Sequence, residues 1–277
     1  MKLAISNIAW EPAEDEAIAA LMRQHGFSGV EIAPTKIWPK PLESTRAERQ
    51  DYRQRWIDRG LPICAMQSLL FGHPECQLFQ TIAAREAMAS YLKGMIDLAA
   101  DVGAEVLVFG SPGNRKRDVT PIEAALDKAI PFFRDVGAHA ASAGVSFCIE
   151  PNPPAYACDF ITTSTEGRSL VDAVNQPGFG LHLDGAGMTL AGENAAESAA
   201  RQAGHFRHFH LSAPQLAPVS AAVPIQYDDV ARVLRRSRYE RWVSIEMRSS
   251  GKAEGNLSAV GTALEFARTT FAATDAA

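Results

Sequence analysis

The stretch Phe147-Cys148-Ile149-Glu150-Pro151-Asn152-Pro153 decides how the rest of the chain is read. It is a short apolar run that ends in a glutamate and is then stopped by prolines, the pattern of a buried strand that surfaces at its C-terminal end. Its twin, Trp242-Val243-Ser244-Ile245-Glu246-Met247-Arg248, lies near the C-terminus. Two more of the kind lie between them, Gly180-Leu181-His182-Leu183-Asp184 and Phe206-Arg207-His208-Phe209-His210. Four consecutive strand ends thus offer Glu150, Asp184, His210 and Glu246.

Outward from this core, the sequence alternates strand and helix. Strands are expected at Leu3–Ile8, Val30–Ile32, Pro62–Ser68, Glu105–Phe109, Val145–Glu150, Phe179–Asp184, Phe206–His210 and Val243–Glu246. Helices are expected to follow each, among them one opening at Ser44 or Thr45, one from Thr81 to Ala100, one from Thr120-Pro121 to Gly144, one opening on the capping-box pattern Thr163–Glu166, one over about 192–203, and a last one from Leu257 to about Phe271. Eight strand–helix pairs with no hairpin between them predict parallel strands closed into a single (β/α)8 barrel over residues 1–277. No GxGxxG follows the first strand, which argues against a doubly wound open sheet. The tail from Ala272 to Ala277 is expected to be frayed.

Side chains alternate across a strand. One face of the last four strands carries Val145, Phe147, Ile149, Phe179, Leu181, Leu183, Phe209, Val243 and Ile245 and is expected to face the outer helices. The other carries Ser146, Cys148, Glu150, His182, Asp184, His208, His210, Ser244, Glu246 and Arg248, and is expected to face the barrel axis, its last members rising to the mouth. Stripping two glutamates, an aspartate and a histidine of water is expensive unless they are paired or hold a metal. Three carboxylates with one imidazole form a hard, oxygen-rich set. One divalent ion is therefore expected, Mn²⁺ first, with Mg²⁺, Co²⁺ and Zn²⁺ as alternatives.

Composition excludes other classes. The chain has 277 residues, 47% of them apolar, and a net charge of −5, with no basic stripe beyond Arg115-Lys116-Arg117 and Arg235-Arg236. Nucleic-acid binding rests on phosphate neutralisation and is not expected. No run approaches the roughly 18 apolar residues of a membrane span, and no leader peptide is read, so the expected location is the cytoplasm. The four cysteines lack CxxC spacing, and those inside strand-like runs are expected to be buried free thiols.

The combination of Ser6-Asn7-Ile8-Ala9-Trp10, Glu31, Met66-Gln67-Ser68-Leu69-Leu70, Ile149-Glu150-Pro151-Asn152, Leu183-Asp184, His210 and Ile245-Glu246-Met247-Arg248 resembles the xylose isomerase-like TIM-barrel superfamily, in particular its sugar phosphate isomerase/epimerase group, which includes ketose 3-epimerases and inosose isomerases. The resemblance implies that Glu150, Asp184, His210 and Glu246 bind one divalent metal and that Glu150 and Glu246 act as acid and base. It implies a metal-dependent isomerase or epimerase on a sugar, cyclitol or keto-sugar derivative, in a dimer or tetramer. A lyase on the same metal site and a non-catalytic sugar-binding barrel are the alternatives. Ketose 3-epimerases carry a histidine three residues after the strand-six aspartate, where this chain has Gly187, and an arginine shortly after the strand-seven histidine, where Leu211–Ala222 contains none. A free ketose is therefore not the expected substrate, and His182 and Arg248 are expected to supply the missing contacts. Gln67, Asn152, Trp10 and Ser111 complete the expected substrate contacts, with Asn7 behind them. The segment Ser111–Arg115 reads as a turn rather than a phosphate cradle, and His208 as a hydrogen-bonded core residue.

Overall fold

In the computed structural model, which describes residues 1–272, eight strands close into one parallel barrel in chain order. They are β1 (Lys2–Ser6), β2 (Gly29–Ile32), β3 (Ile63–Met66), β4 (Val106–Phe109), β5 (Ser146–Ile149), β6 (Phe179–Asp184), β7 (Phe206–Ser212) and β8 (Trp242–Glu246). Closure is made by β8 against β1, with Leu3 opposite Val243. Of the tail expected to fray, Ala272–Ala277, residues 273–277 lie outside the described residues.

The helices are α1 (Asp15–Gln24), α2 (Arg46–Asp58), α3 (Ile82–Val102), α4 (Ile122–Ser142), α5 (Ser164–Val174), α6 (Gly185–Leu190), α7 (Ala195–Arg201), α8 (Tyr227–Arg236) and α9 (Ala253–Phe271). Their boundaries have local causes. The Thr45 and Thr163 hydroxyls accept from the backbone N–H three residues on, and Glu48 and Glu166 reach back to complete capping boxes. Gly103 ends α3 at φ +82°, the left-handed geometry that glycine adopts without strain. Two expected outlines change. Residues 7–9 leave the first strand as a 3-10 turn, because the Asn7 side chain is used to accept from Ala33 N–H at 2.7 Å. A further short helix, α6, sits directly after Asp184.

The two faces of the strands separate as alternation requires. The apolar set of β5 to β8 joins one large core with the helices, including Phe147, Ile149, Leu181, Phe209 and Val243. Inside the barrel a smaller cluster holds Ala4, Cys64, Ala65, Val106, Val108, Cys148 and Trp242. Trp242 fits only because β2 begins with a glycine: a Cβ on Gly29 would meet its ring at 2.5 Å. All four cysteines are buried free thiols. Among the described residues, no helix is long and apolar enough to cross a membrane.

Candidate active site

Above the inner cluster the barrel interior turns polar. β6 and β7 set His182 opposite His208 and Asp184 opposite His210, and β7 and β8 set Ser212 opposite Glu246. Glu150, the residue after β5, completes the ring. Glu150, Asp184, His210 and Glu246 each offer one donor atom, and these atoms all lie within 4.8 Å of one another. The four strand-end residues singled out in the sequence therefore meet at one point.

Each donor is aimed by a specific neighbour. Asp184 caps α6, its Oδ1 accepting from Gly187 N–H at 2.5 Å, while its Oδ2 accepts from the Ser212 hydroxyl at 2.5 Å. Ser212 is held in turn by Tyr227 of α8, whose hydroxyl accepts from Ser212 N–H and donates to Ser212 C=O. Glu150 has room only because residue 110 is glycine, where a Cβ would stand 2.2 Å from Glu150 Oε2. The backbone carbonyl of Glu150 accepts from the fully buried Arg115 guanidinium at 2.6 Å, and the same guanidinium serves the carbonyls of Gly110, Phe160 and Ile161. His210 is aimed from below. Its Nε2 lies 3.1 Å from both oxygens of Glu31, a fully buried carboxylate on β2 that also lies 3.4 Å from His208 Nε2. With Nε2–H given to Glu31, Nδ1 faces the carboxylates, and among the described residues it makes no hydrogen bond although Glu246 Oε2 stands 3.4 Å away.

Electrostatics show what this arrangement lacks. Burial pushes the Glu150 carboxyl up to about 8, with Glu246 and Asp184 adding to the shift, and His210 and the Asn152 amide opposing it. Burial and then Glu246 push Asp184 up to about 6, against His210, the Ser212 hydroxyl and the Gly187 N–H. Burial alone would lower His210, but the Glu31 and Glu246 carboxylates outweigh it and hold the imidazole well above its ordinary range. Two carboxylates, Glu150 and Asp184, that resist ionising beside a third, together with an imidazole nitrogen that has no hydrogen-bond partner among the described residues, fit a divalent cation: it removes the like-charge repulsion and gives that nitrogen a partner.

The three carboxylates open into a mouth cavity of about 370 Å³, with His210 buried behind them. Gln67, Ser111, Asn152 and Arg248 line it together with Glu150, Asp184 and Glu246. Gln67 is fixed by donating to the Ser6 hydroxyl at 2.6 Å. Arg248 is exposed at the rim. Two expected contacts are placed elsewhere. His182 is fully buried beneath the cavity, its Nε2 3.7 Å from Glu150 Oε1, with its ring tilted against His208 and edge-on to His210. Trp10 lines a separate cavity with Asp15, Lys36 and Trp38, and its indole N–H donates to Asp15 at 2.8 Å. The Ser111–Arg115 segment is a 3-10 turn pinned by Arg115. Sequence reading did not find the roles of Ser212, Tyr227, Arg115 and Glu31. Glu31 alone carried a signal, an acidic residue in the middle of an apolar strand.

A closed (β/α)8 barrel with a carboxylate-rich donor set at the C-terminal mouth defines the class of architecture. The chain belongs to the xylose isomerase-like TIM barrel family, whose model matches residues 19–270. Among solved structures, D-psicose 3-epimerase with D-tagatose from Clostridium cellulolyticum H10 is similar at TM-score 0.81 and 15% identity, covering 98% of this chain and 99% of that one. The 3-keto-D-glucoside 4-epimerase YcjR from E. coli, in its apo form, aligns at TM-score 0.79 and 18% identity, covering 97% and 99%. The IOLI protein with a binding zinc atom aligns at 0.78 and 17%, covering 98% of each chain. No curated protein matches the chain in sequence.

Proposed function

We propose that this chain is a divalent-metal-dependent isomerase or epimerase that moves a proton next to the carbonyl of a sugar, cyclitol or keto-sugar derivative. The observation that carries the reading is the convergence of the Glu150 and Glu246 carboxylates with Asp184 and His210 donor atoms inside 4.8 Å, the three carboxylates lining the mouth cavity. Support comes from relatives of the same fold that are named as sugar epimerases, and from one that holds zinc.

Glu150, Asp184, His210 and Glu246 would hold the cation. When bound, it supplies Lewis-acid stabilisation of negative charge on the substrate oxygens. The oxygen-rich donor set favours Mn²⁺, Mg²⁺ or Co²⁺, and the zinc-holding relative puts Zn²⁺ in the same panel. One of the two glutamates removes the proton from the carbon beside the carbonyl, leaving an enediolate. The other returns a proton to the opposite face of that carbon, which is epimerisation, or to the former carbonyl carbon, which is isomerisation. Gln67 and Asn152, both nearly buried in the cavity wall, orient the substrate hydroxyls.

The test is proton exchange in D₂O, followed by NMR, on metal-loaded protein with a panel of keto-sugars and inososes. Wild type is expected to wash deuterium into the carbon beside the carbonyl, and a chelator is expected to stop it. Glu246→Gln is expected to retain the cation by metal analysis while exchange falls by about 10²–10⁴-fold. Exchange by that variant at the wild-type rate removes Glu246 from the chemistry. A product lighter by one water replaces isomerisation with elimination.

A further inference from the structure

The mouth cavity does not end at its own walls. Ser68, Ser111 and Pro112 line it and also line a second cavity of about 410 Å³ on the β3–β4 side. The neck between them is built from strained backbone: Ser68 has φ +56° and Ser111 φ +40°, left-handed values that residues with a side chain seldom adopt. Such geometry persists where the surroundings over-determine it. The groove beyond the neck is likewise fixed. Asn114 Nδ2 donates to the carbonyls of His73 and Cys76 at 2.8 and 2.7 Å, and its own carbonyl accepts from Leu78 N–H. The His73 ring lies 4.1 Å from the Tyr91 ring.

Two properties define what the groove accepts. Among the described residues no aspartate, glutamate, lysine or arginine side chain lines it, and its one histidine, His73, is already paired with Glu75 at 2.8 Å, so a phosphate or carboxylate tail finds no free counter-charge there. Phe71 lines it at 71% exposure, an apolar aromatic face left in solvent beside a polar site. Each cavity alone reaches the lower end of the roughly 300–1,000 Å³ typical of small-molecule sites.

We propose that the substrate is a two-ring glycoside: the reacting keto-sugar ring occupies the mouth cavity, and a second, uncharged ring lies across the neck against Phe71. This rests on the isomerase reading above and supplies its substrate class. The neck serines face both rings, and the metal donors touch only the first.

Calorimetric titration of Mn²⁺-loaded protein with methyl and phenyl β-D-glucopyranoside, and with the matching galactosides, tests the proposal. A stacked second ring predicts phenyl glycosides binding about tenfold more tightly than methyl glycosides. Phe71→Ala is expected to remove the difference. So is Gly113→Trp, which fills the groove from a position where a Cβ meets nothing within 4 Å. Equal affinities, no binding of either glycoside, or a difference that survives both substitutions overturns the proposal. The exchange assay scores the isomerase reading separately. Exchange on free keto-sugars with no phenyl advantage sinks only the second-ring site. A phenyl advantage with no exchange on any keto-sugar, free or glycosylated, sinks only the isomerase.

Discussion

Glu31 acts on the proposed metal ligands without joining them. By accepting Nε2–H from His210 it fixes which nitrogen faces the carboxylates, and its charge makes the imidazole a better donor. Glu31→Gln is expected to weaken Mn²⁺ binding by about 10–100-fold, read by competition with a chelator. Unchanged affinity would show that His210 orients itself. At the same scale, the sequence exposed the four donors because each stands at the end of an apolar run. It did not expose Glu31 as a partner of His210, since the two are far apart in the chain and meet only when β2 and β7 face each other across the interior. His182 and Trp10 were legible as polar or aromatic residues near the mouth. Their depth was not: the first strand stops early, at Ser6, which takes Trp10 away from the mouth, and His182 stands two residues before the end of β6, one layer beneath Asp184.

At the scale of elements, two contacts hold strand ends in place. Tyr227 ties α8 to the end of β7 through both backbone groups of Ser212. Tyr227→Phe removes the hydroxyl that both buried groups use, and is expected to lower the unfolding free energy by about 1–3 kcal/mol, measured by urea titration. Arg115 joins the loop after β4 to the end of β5 by serving four carbonyls. Arg115→Met is expected to cost more than about 3 kcal/mol in the same titration, because several buried acceptors lose a charged donor at once. Most strands and the longer helices were legible from period and caps. α6 was not: Gly185-Ala186-Gly187 is a poor helix start, and the helix forms because Asp184 caps it and the Ser212 hydroxyl accepts from Ala186 N–H. Arg115 read as one of three adjacent basic residues, and nothing local marked it for the interior.

For the molecule as a whole, the polar interior links stability to pH and, under the proposed function, to metal. Burial raises the Glu150 carboxyl from an ordinary 4.5 to about 8 and Asp184 to about 6, so the folded chain binds these protons more tightly than the unfolded one. The stability that depends on them is complete below the unfolded values and is lost as pH rises through the folded ones. His210, also held above its ordinary value, contributes with the same sign, while Glu31 is held low and matters only in acid. Metal-free protein is therefore expected to lose stability between pH 6 and 8, and the rise in Tm on adding Mn²⁺ is expected to be larger at pH 8 than at pH 6, read by calorimetry. A metal-induced rise that shrinks toward pH 8 would contradict the assignment of these carboxylates as its ligands.

The pairing of the second strand with the seventh also bears on how the chain is made. Glu31 leaves the ribosome long before His210, so a nascent half-barrel that closed early would shut an anion in an oily interior with no counter-charge. Premature closure is thereby penalised. Since Glu246 is synthesised later still, the four proposed ligands can come together only after nearly the whole polypeptide has emerged.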